Sequence, residues 1–143
     1  SNTKCKWHRF DLSNFEKLKK VLISEKPDVI FHLAAQAIVS KSYKDPKKTW
    51  SSNLISSLNL FEILRKIKKN CLVVIITSDK CYLNIEKKTG YKEGDRLGGN
   101  DHYSASKACT EILFNSYFKS NLYKNLKLRI VTARAGNVIG GGD

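Results

Sequence analysis

Short β-branched runs alternate along this chain with amphipathic stretches of helical period, and that alternation points to a parallel α/β sheet. A short strand is expected over Lys6–Phe10, leading into Asp11-Leu12. Ser13 with Glu16 reads as a capping box, and Phe15, Leu18, Val21 and Leu22 follow at helical spacing until Pro27 ends the helix. Asp28–Leu33 is nearly continuous in apolar residues, as a strand buried on both faces would be. After the small-residue loop Ala34, Ala35, Gln36, Ala37, one long helix is expected from about Pro46 to Lys68. Leu72–Ile76 is the clearest strand. A long irregular loop, Lys80 to Asp101, leads to a helix from His102 or Tyr103 to about Tyr123, and Leu128–Ala133 forms a last strand. Long loops after the carboxyl end of a parallel strand usually carry function.

With 143 residues, 41% of them hydrophobic, the chain makes one domain at most. It opens on Ser1-Asn2-Thr3 and stops at Gly140-Gly141-Gly142-Asp143, and both ends read as cuts through a longer protein. No apolar run nears the roughly 18–20 residues that span a bilayer, and no secretory pattern opens the chain, so a cytoplasmic setting without membrane partners is expected. Cys5, Cys71, Cys81 and Cys109 are widely spaced and form no C-x-x-C pair. They read as free thiols of a reducing compartment rather than as disulfides or a metal set, and no metal is expected. The net charge of +13 raises the question of nucleic acid, but it comes mostly from dispersed lysines without interleaved aromatics. A solvated surface explains it better than a nucleic-acid partner does.

Tyr103-Ser104-Ala105-Ser106-Lys107 is the strongest local signal. Four residues on a helix put Tyr103 and Lys107 on one face, where an ammonium favours tyrosinate and helps a phenol act as a base. Alone, Tyr-x-x-x-Lys is a common helix pair. Thr77-Ser78-Asp79-Lys80 adds hydroxyl, carboxylate and amine at the carboxyl end of the clearest strand, the edge where open α/β sheets bind ligands. That turn, taken alone, could equally be a capped loop.

Several separated motifs in order make the chain resemble the extended short-chain dehydrogenase/reductase family, and within it the nucleotide-sugar 4,6-dehydratases. They are Asp11-Leu12 after a strand, Phe31-His32-Leu33-Ala34-Ala35-Gln36, Asn53, Thr77-Ser78-Asp79-Lys80, Tyr103 to Lys107, and Arg134-Ala135-Gly136-Asn137. An acid after Ser78 separates dehydratases from 4-epimerases. Asp79-Lys80, where TDP-glucose enzymes carry Asp-Glu, looks like the CDP-glucose group, together with Cys81-Tyr82, Gly98-Gly99-Asn100-Asp101 and Gly136 to Asp143. UDP-N-acetylglucosamine dehydratases that share Asp-Lys have their tyrosine much sooner. His102 departs from the expected Pro, a change for the helix start rather than the chemistry.

The resemblance implies a doubly wound Rossmann-type parallel sheet, incomplete here, with the first strands and the C-terminal substrate region missing. Residues 1–143 would then be a partial NAD-binding domain carrying the Tyr-x-x-x-Lys helix. It implies NAD as cofactor, a nucleotide sugar (CDP-glucose) as substrate, and a homodimer at full length. The catalytic set is Ser78, Asp79, Lys80, Tyr103 and Lys107. Tyr103, with Lys107 and Ser78, removes the 4-hydroxyl proton as C4 gives a hydride to NAD. Water then leaves from C6 with a proton from Asp79, and the hydride returns to C6. Lys80 stands where relatives carry Glu and would need burial to act as the C5 base. Asp11 and Leu12 are implied at the adenine end, Leu33, Ala34 and Ala35 along the dinucleotide, and Asn53 near the nicotinamide or as a structural partner. Tyr103 and Lys107 also touch cofactor, while Gln36, Ser78 and Asn137 face substrate. Leu33-Ala34-Ala35 alone could be plain strand-to-loop packing, and His32 reads as a hydrogen-bonded core residue.

The glycine-rich pyrophosphate fingerprint is not in this chain. If Lys6–Phe10 is the third strand of the usual order, the strands that should join it to Asp28–Leu33 are missing, and a continuous sheet needs a gap or a rearrangement. The stretch alone is therefore expected to be marginally folded and inactive. The competing readings are another nucleotide-sugar dehydratase or 4-epimerase, and a non-catalytic basic nucleotide-binding module.

Overall fold

The computed structural model describes residues 5–67, 70–120 and 128–140. Three parallel strands, β1 (Val29–His32), β2 (Cys71–Ile76) and β3 (Leu128–Ala133), form one sheet in the order β1-β2-β3. Helix α1 (Phe15–Glu25) precedes β1. Helices α2 (Val39–Lys44), α3 (Pro46–Trp50) and α4 (Ser56–Lys66) cross from β1 to β2, and α5 (His102–Lys119) crosses from β2 towards β3. Parallel strands require such crossovers, so the expected α/β class holds.

Register explains which face is covered. Ile30 pairs with Val73 and Val73 with Ile130, while His32 pairs with Ile75 and Ile75 with Thr132. This face meets Leu18 and Leu22 of α1 and Leu60, Phe61, Ile63 and Leu64 of α4. Val73, Ile75 and Phe61 are wholly excluded from solvent. At about 1.5–3 kcal/mol for each large apolar side chain buried, this cluster is the main source of stability. On the opposite face, Val29 and Phe31 are 46% and 65% exposed. The near-continuous apolar run at Asp28–Leu33 is therefore not a strand buried on both faces among the described residues.

Three local expectations are corrected. Lys6–Phe10 forms no strand; among the described residues β1 is paired on one side only, by β2, and the sheet is continuous without that segment. The incomplete sheet that was expected is thus a continuous three-stranded one to which Lys6–Phe10 does not belong. The cap of α1 is Asn14, whose side chain accepts from the Lys17 amide, rather than Ser13. Ser13 is engaged instead by Asp11, to which its amide and hydroxyl both donate, at 2.9 and 2.8 Å. The helix expected from Pro46 contains a π turn, Ser51–Ile55, between α3 and α4, and α2 forms ahead of it. The positions beyond Ile67 and Ser120 to which two helices were expected to run, Lys68 and Tyr123, lie outside the described residues. No helix among the described residues is long and apolar enough to cross a membrane.

Candidate active site

Strand β2 delivers Thr77 and Ser78 to the carboxyl edge of the sheet, both buried. A short 3-10 turn, Asp79–Cys81, follows, capped by Ser78. The Ser78 hydroxyl donates to Asp79 Oδ1 at 3.0 Å and accepts from the Lys80 amide at 3.2 Å. The segment after β3 lies alongside, with the Asp79 amide donating to the Ala135 carbonyl at 3.0 Å. A side chain on Gly136 would come within 4.0 Å of Asp79 Oδ2. Asp79 and Lys80 are exposed, so Lys80 lacks the burial that its expected role as a base invoked.

Helix α5 brings the second group. Asp101 caps it, accepting from the Ser104 amide at 2.9 Å and the Ser104 hydroxyl at 2.6 Å. Gly99 lies so close to this turn that a Cβ there would stand 2.4 Å from the Ala105 nitrogen, so only glycine fits. Tyr103 and Lys107 are both buried, with the ammonium 6.0 Å from the centre of the tyrosine ring. Lys107 Nζ donates to the Ile76 carbonyl at 3.1 Å, which ties α5 to the end of β2 just before Thr77. Burial holds the Lys107 ammonium below the ordinary lysine pKa. It is Lys107, not Lys80, that has the desolvated setting. Beneath it, His32 is buried and neutral, its pKa lowered to about 4 first by desolvation and then by the charge of Lys107. His32 Nε2 lies 3.1 Å from Ser57 Oγ. That hydroxyl donates to the Asn53 carbonyl at 2.8 Å, so Nε2 carries the imidazole hydrogen.

Asn53, on the π turn, is turned wholly into the protein. Its Oδ1 accepts from the Gln36 amide at 2.7 Å, and its Nδ2 donates to the Gln36 carbonyl at 3.1 Å and to Ser106 Oγ at 2.8 Å. This clamps the loop after β1 to α5. The Gln36 side chain donates to Thr49 Oγ1 and the Ile38 carbonyl, each at 3.0 Å. Leu33, 66% exposed, and Ala34 remain open at the end of β1, with Ala35 half-buried. Asn137 is exposed beyond β3.

Asp11 and Leu12 are held elsewhere. Lys48 pairs with the Asp11 carboxylate and, with the Ser13 hydrogen bonds, lowers its pKa to about 2. Asn59 Nδ2 donates to the Leu12 carbonyl at 3.2 Å. At the start of α5, the Trp50 indole donates to His102 Nδ1 at 3.4 Å.

Hydrophobic patterning missed Glu111, 1% exposed, and its partner Arg134, which donates to it at 3.0 Å. The signal was present: Tyr103, Lys107 and Glu111 recur every four residues along one face of α5. An open cleft of about 1230 Å³ runs past these groups, lined by Asp79, Lys80, Tyr82, Asn100, Ser104 and Arg134.

A parallel α/β sheet with a Tyr-x-x-x-Lys helix packed against the end of its central strand defines a Rossmann-like protein of the extended short-chain dehydrogenase/reductase class. Residues 1–138 match the model of the family described as GDP-mannose 4,6 dehydratase, and the chain belongs to that family of NAD-dependent nucleotide-sugar dehydratases and epimerases. The CDP-glucose 4,6-dehydratase of Salmonella typhimurium is 42% identical over 140 residues, covering 95% of this chain and 39% of that protein. The dTDP-D-glucose 4,6-dehydratase of Dictyostelium discoideum is 29% identical over 94% of this chain and 32% of its own length. The chain thus spans about two fifths or less of these relatives. Among solved structures, RMD from Pseudomonas aeruginosa complexed with NADPH superposes with a TM-score of 0.77 and 29% identity, over 94% of this chain and 44% of that one. The UDP-glucose 4-epimerase of Thermotoga maritima, at 22% identity, shares the fold with a TM-score of 0.81 over 98% of this chain and 44% of its own.

Proposed function

We propose that the protein to which this chain belongs dehydrates CDP-glucose to CDP-4-dehydro-6-deoxyglucose, with NAD recycled within each turnover. The observation that carries this reading is the pairing of two chemistries at one sheet edge. Ser78 and Asp79 follow β2, while Lys107, buried one turn along α5 from buried Tyr103, is tied to the same strand end through the Ile76 carbonyl. An epimerase needs only the second group. A carboxylate beside Ser78 adds a proton donor for a leaving hydroxyl, which favours dehydration. The Salmonella relative, at 42% identity, supports the cytidine nucleotide.

The residues present fit a nicotinamide dinucleotide along the carboxyl ends of β1 and β2. Leu33 and Ala34 leave an open, weakly polar surface there, and small side chains permit close backbone approach. Leu33, Ala34, Ala35, Tyr103 and Lys107 would hold the cofactor, with Asp11 and Leu12 at its adenine end and Asn53 fixing the loop behind it. When bound, the nicotinamide supplies the hydride acceptor and donor.

The chain's own residues manage protons. Tyr103 takes the proton of the sugar 4-hydroxyl, with the charge of Lys107 favouring the phenolate and Ser78 orienting the oxygen. Oxidation at C4 acidifies the C5 proton. Asp79 then protonates the hydroxyl leaving C6, and Lys80, exposed at the open cleft, would receive the C5 proton only as the neutral amine that burial beneath a bound sugar favours. Gln36 and Asn137 complete the sugar's surroundings.

The test uses the full-length gene product with NAD and CDP-, TDP-, UDP- or GDP-glucose in separate reactions, following loss of one water by mass spectrometry. Loss from CDP-glucose alone is expected. Loss from another nucleotide keeps the chemistry and overturns the nucleotide, and isomerisation without water loss makes the protein an epimerase.

A further inference from the structure

Glu111 is almost wholly buried, two helical turns along α5 from Tyr103, and serves none of the proton transfers above. Its carboxylate is nonetheless fully engaged. The Thr77 hydroxyl donates to Oε1, and the Thr132 hydroxyl and Arg134 Nη2 donate to Oε2 at 3.1 and 3.0 Å. One side chain of α5 is thus bonded to the ends of both β2 and β3. Arg134 carries the linkage onward: its Nη1 donates to the Tyr82 hydroxyl at 2.9 Å and to the Glu93 carbonyl at 3.0 Å. Its guanidinium also lies 4.9 Å from the Tyr82 ring centre, and Tyr82 stacks on Tyr91 at 5.2 Å. Tyr82 follows the Asp79–Cys81 turn directly, and its amide donates to the Asp79 carbonyl at 3.2 Å.

We infer that Glu111 and Arg134 are positioning residues that hold the Asp79–Lys80 turn in register with Tyr103, so that both act on one bound sugar. This rests on the proposed dehydration. The proposed base and acid lie on different elements, α5 and the end of β2, and would have to reach C4 and C6 of the same hexose. Lys107 ties the two elements before Thr77, and Glu111 ties them at Thr77. Arg134 then fixes the far side of the turn through Tyr82 and the long loop through Glu93. With the Glu111 carboxylate buried and both of its oxygens engaged by donors, the Glu111–Arg134 pair is a rigid strut, and displacing reacting groups by about 1 Å costs on the order of a hundredfold in rate.

The experiment compares Tyr82→Phe, Arg134→Lys and Asp79→Asn in the full-length enzyme, measuring kcat, KM and thermal midpoint. Tyr82→Phe deletes only the hydroxyl that accepts from Arg134 and keeps the ring stack, so it remains informative if Arg134→Lys does not fold. The expected result for Tyr82→Phe is a fall in kcat for water loss of roughly tenfold to a hundredfold, with KM and the thermal midpoint near those of the parent. Arg134→Lys, which keeps the charge against Glu111 but loses the fork, should fall at least as far. Unchanged kcat in Tyr82→Phe, a change confined to KM, or a lowered thermal midpoint with full kcat each overturns the positioning role. Asp79→Asn separates that failure from failure of the function itself: if it turns over normally, the dehydration reading falls.

Discussion

The Lys107 ammonium donates to the Ile76 carbonyl, so a charge buried beside Tyr103 is satisfied by the last residue of the strand that leads into Ser78. This contact positions the cation, and the face it shares with Tyr103 then follows from helical spacing. Lys107→Met removes both the charge and the tie to β2. Turnover of the full-length enzyme should fall by about a hundredfold or more, within the range for loss of acid–base assistance, in a steady-state assay of water loss.

His32 gives the fold a distinct acid sensitivity. Unfolded, its imidazole protonates near 6.5; folded, burial and Lys107 lower that to about 4. Between these values the unfolded chain binds the extra proton, so acidification favours unfolding. The stabilisation is complete above pH 6.5 and lost as pH falls to 4, and amounts to about 3 kcal/mol. Urea unfolding of the parent and of His32→Gln, which keeps a donor for Ser57, should show this pH dependence in the parent and a flatter profile in the variant.

Gly99→Ala tests the close approach of the long loop to α5. The new methyl group meets Ser104 and Ala105 backbone at 2.4–2.6 Å, and backbone cannot swing aside as a flexible side chain does. A loss of about 1–3 kcal/mol is expected by thermal unfolding, with Tyr103 displaced because it sits in the same turn.

Asn53→Asp is a nearly isosteric probe of the clamp on Gln36. The substitution replaces a donating NH₂ with a carboxylate oxygen that faces the Gln36 carbonyl and Ser106. Stability should fall by about 2–3 kcal/mol in denaturant titration, more than a neutral loss of one hydrogen bond. Recovery of the parent's stability would show that the loop after β1 is held by other means.

Lys48→Ala should raise the Asp11 titration midpoint from about 2 towards the ordinary carboxylate range, because the Lys48 hydrogen bond is the largest influence on it, ahead of Ser13. Carboxyl NMR of Asp11 across acidic pH reads this directly. An unmoved midpoint would assign the depression to the Ser13 turn alone.

Where burial follows apolar periodicity, the sequence was legible: β3 spans Leu128–Ala133 as expected, and β2 begins one residue earlier, at Cys71. It was least legible where polar side chains compete. Asp11 takes the Ser13 hydroxyl and so moves the helix cap to Asn14. The apolar run at Asp28–Leu33 reads as doubly buried, yet the strand it forms, Val29–His32, has one face open among the described residues. Behind the candidate site, Ser42, Thr49, Asn53, Ser56, Ser57, Ser106 and Thr110 are buried. Polar side chains leave no mark on a hydrophobic pattern, so the interface of α3, the π turn and α5 could not be read from one. Tyr103, Lys107 and the residues after β2 were singled out as candidates by their spacing and by resemblance, while the Glu111–Arg134 link required three dimensions.

The π turn at Ser51–Ile55 makes one helical rod do two jobs with different phases. Ahead of it Thr49 addresses Gln36, within it Asn53 does the same, and beyond it Leu60, Phe61, Ile63 and Leu64 point into the apolar core. A single-residue deletion that restored regular α-helix would rotate one half against the other by about 100°, since each residue turns the helix by that angle. Either the loop after β1 would lose its clamp or the core its ridge. This stretch should therefore tolerate substitutions far better than it tolerates any change in length.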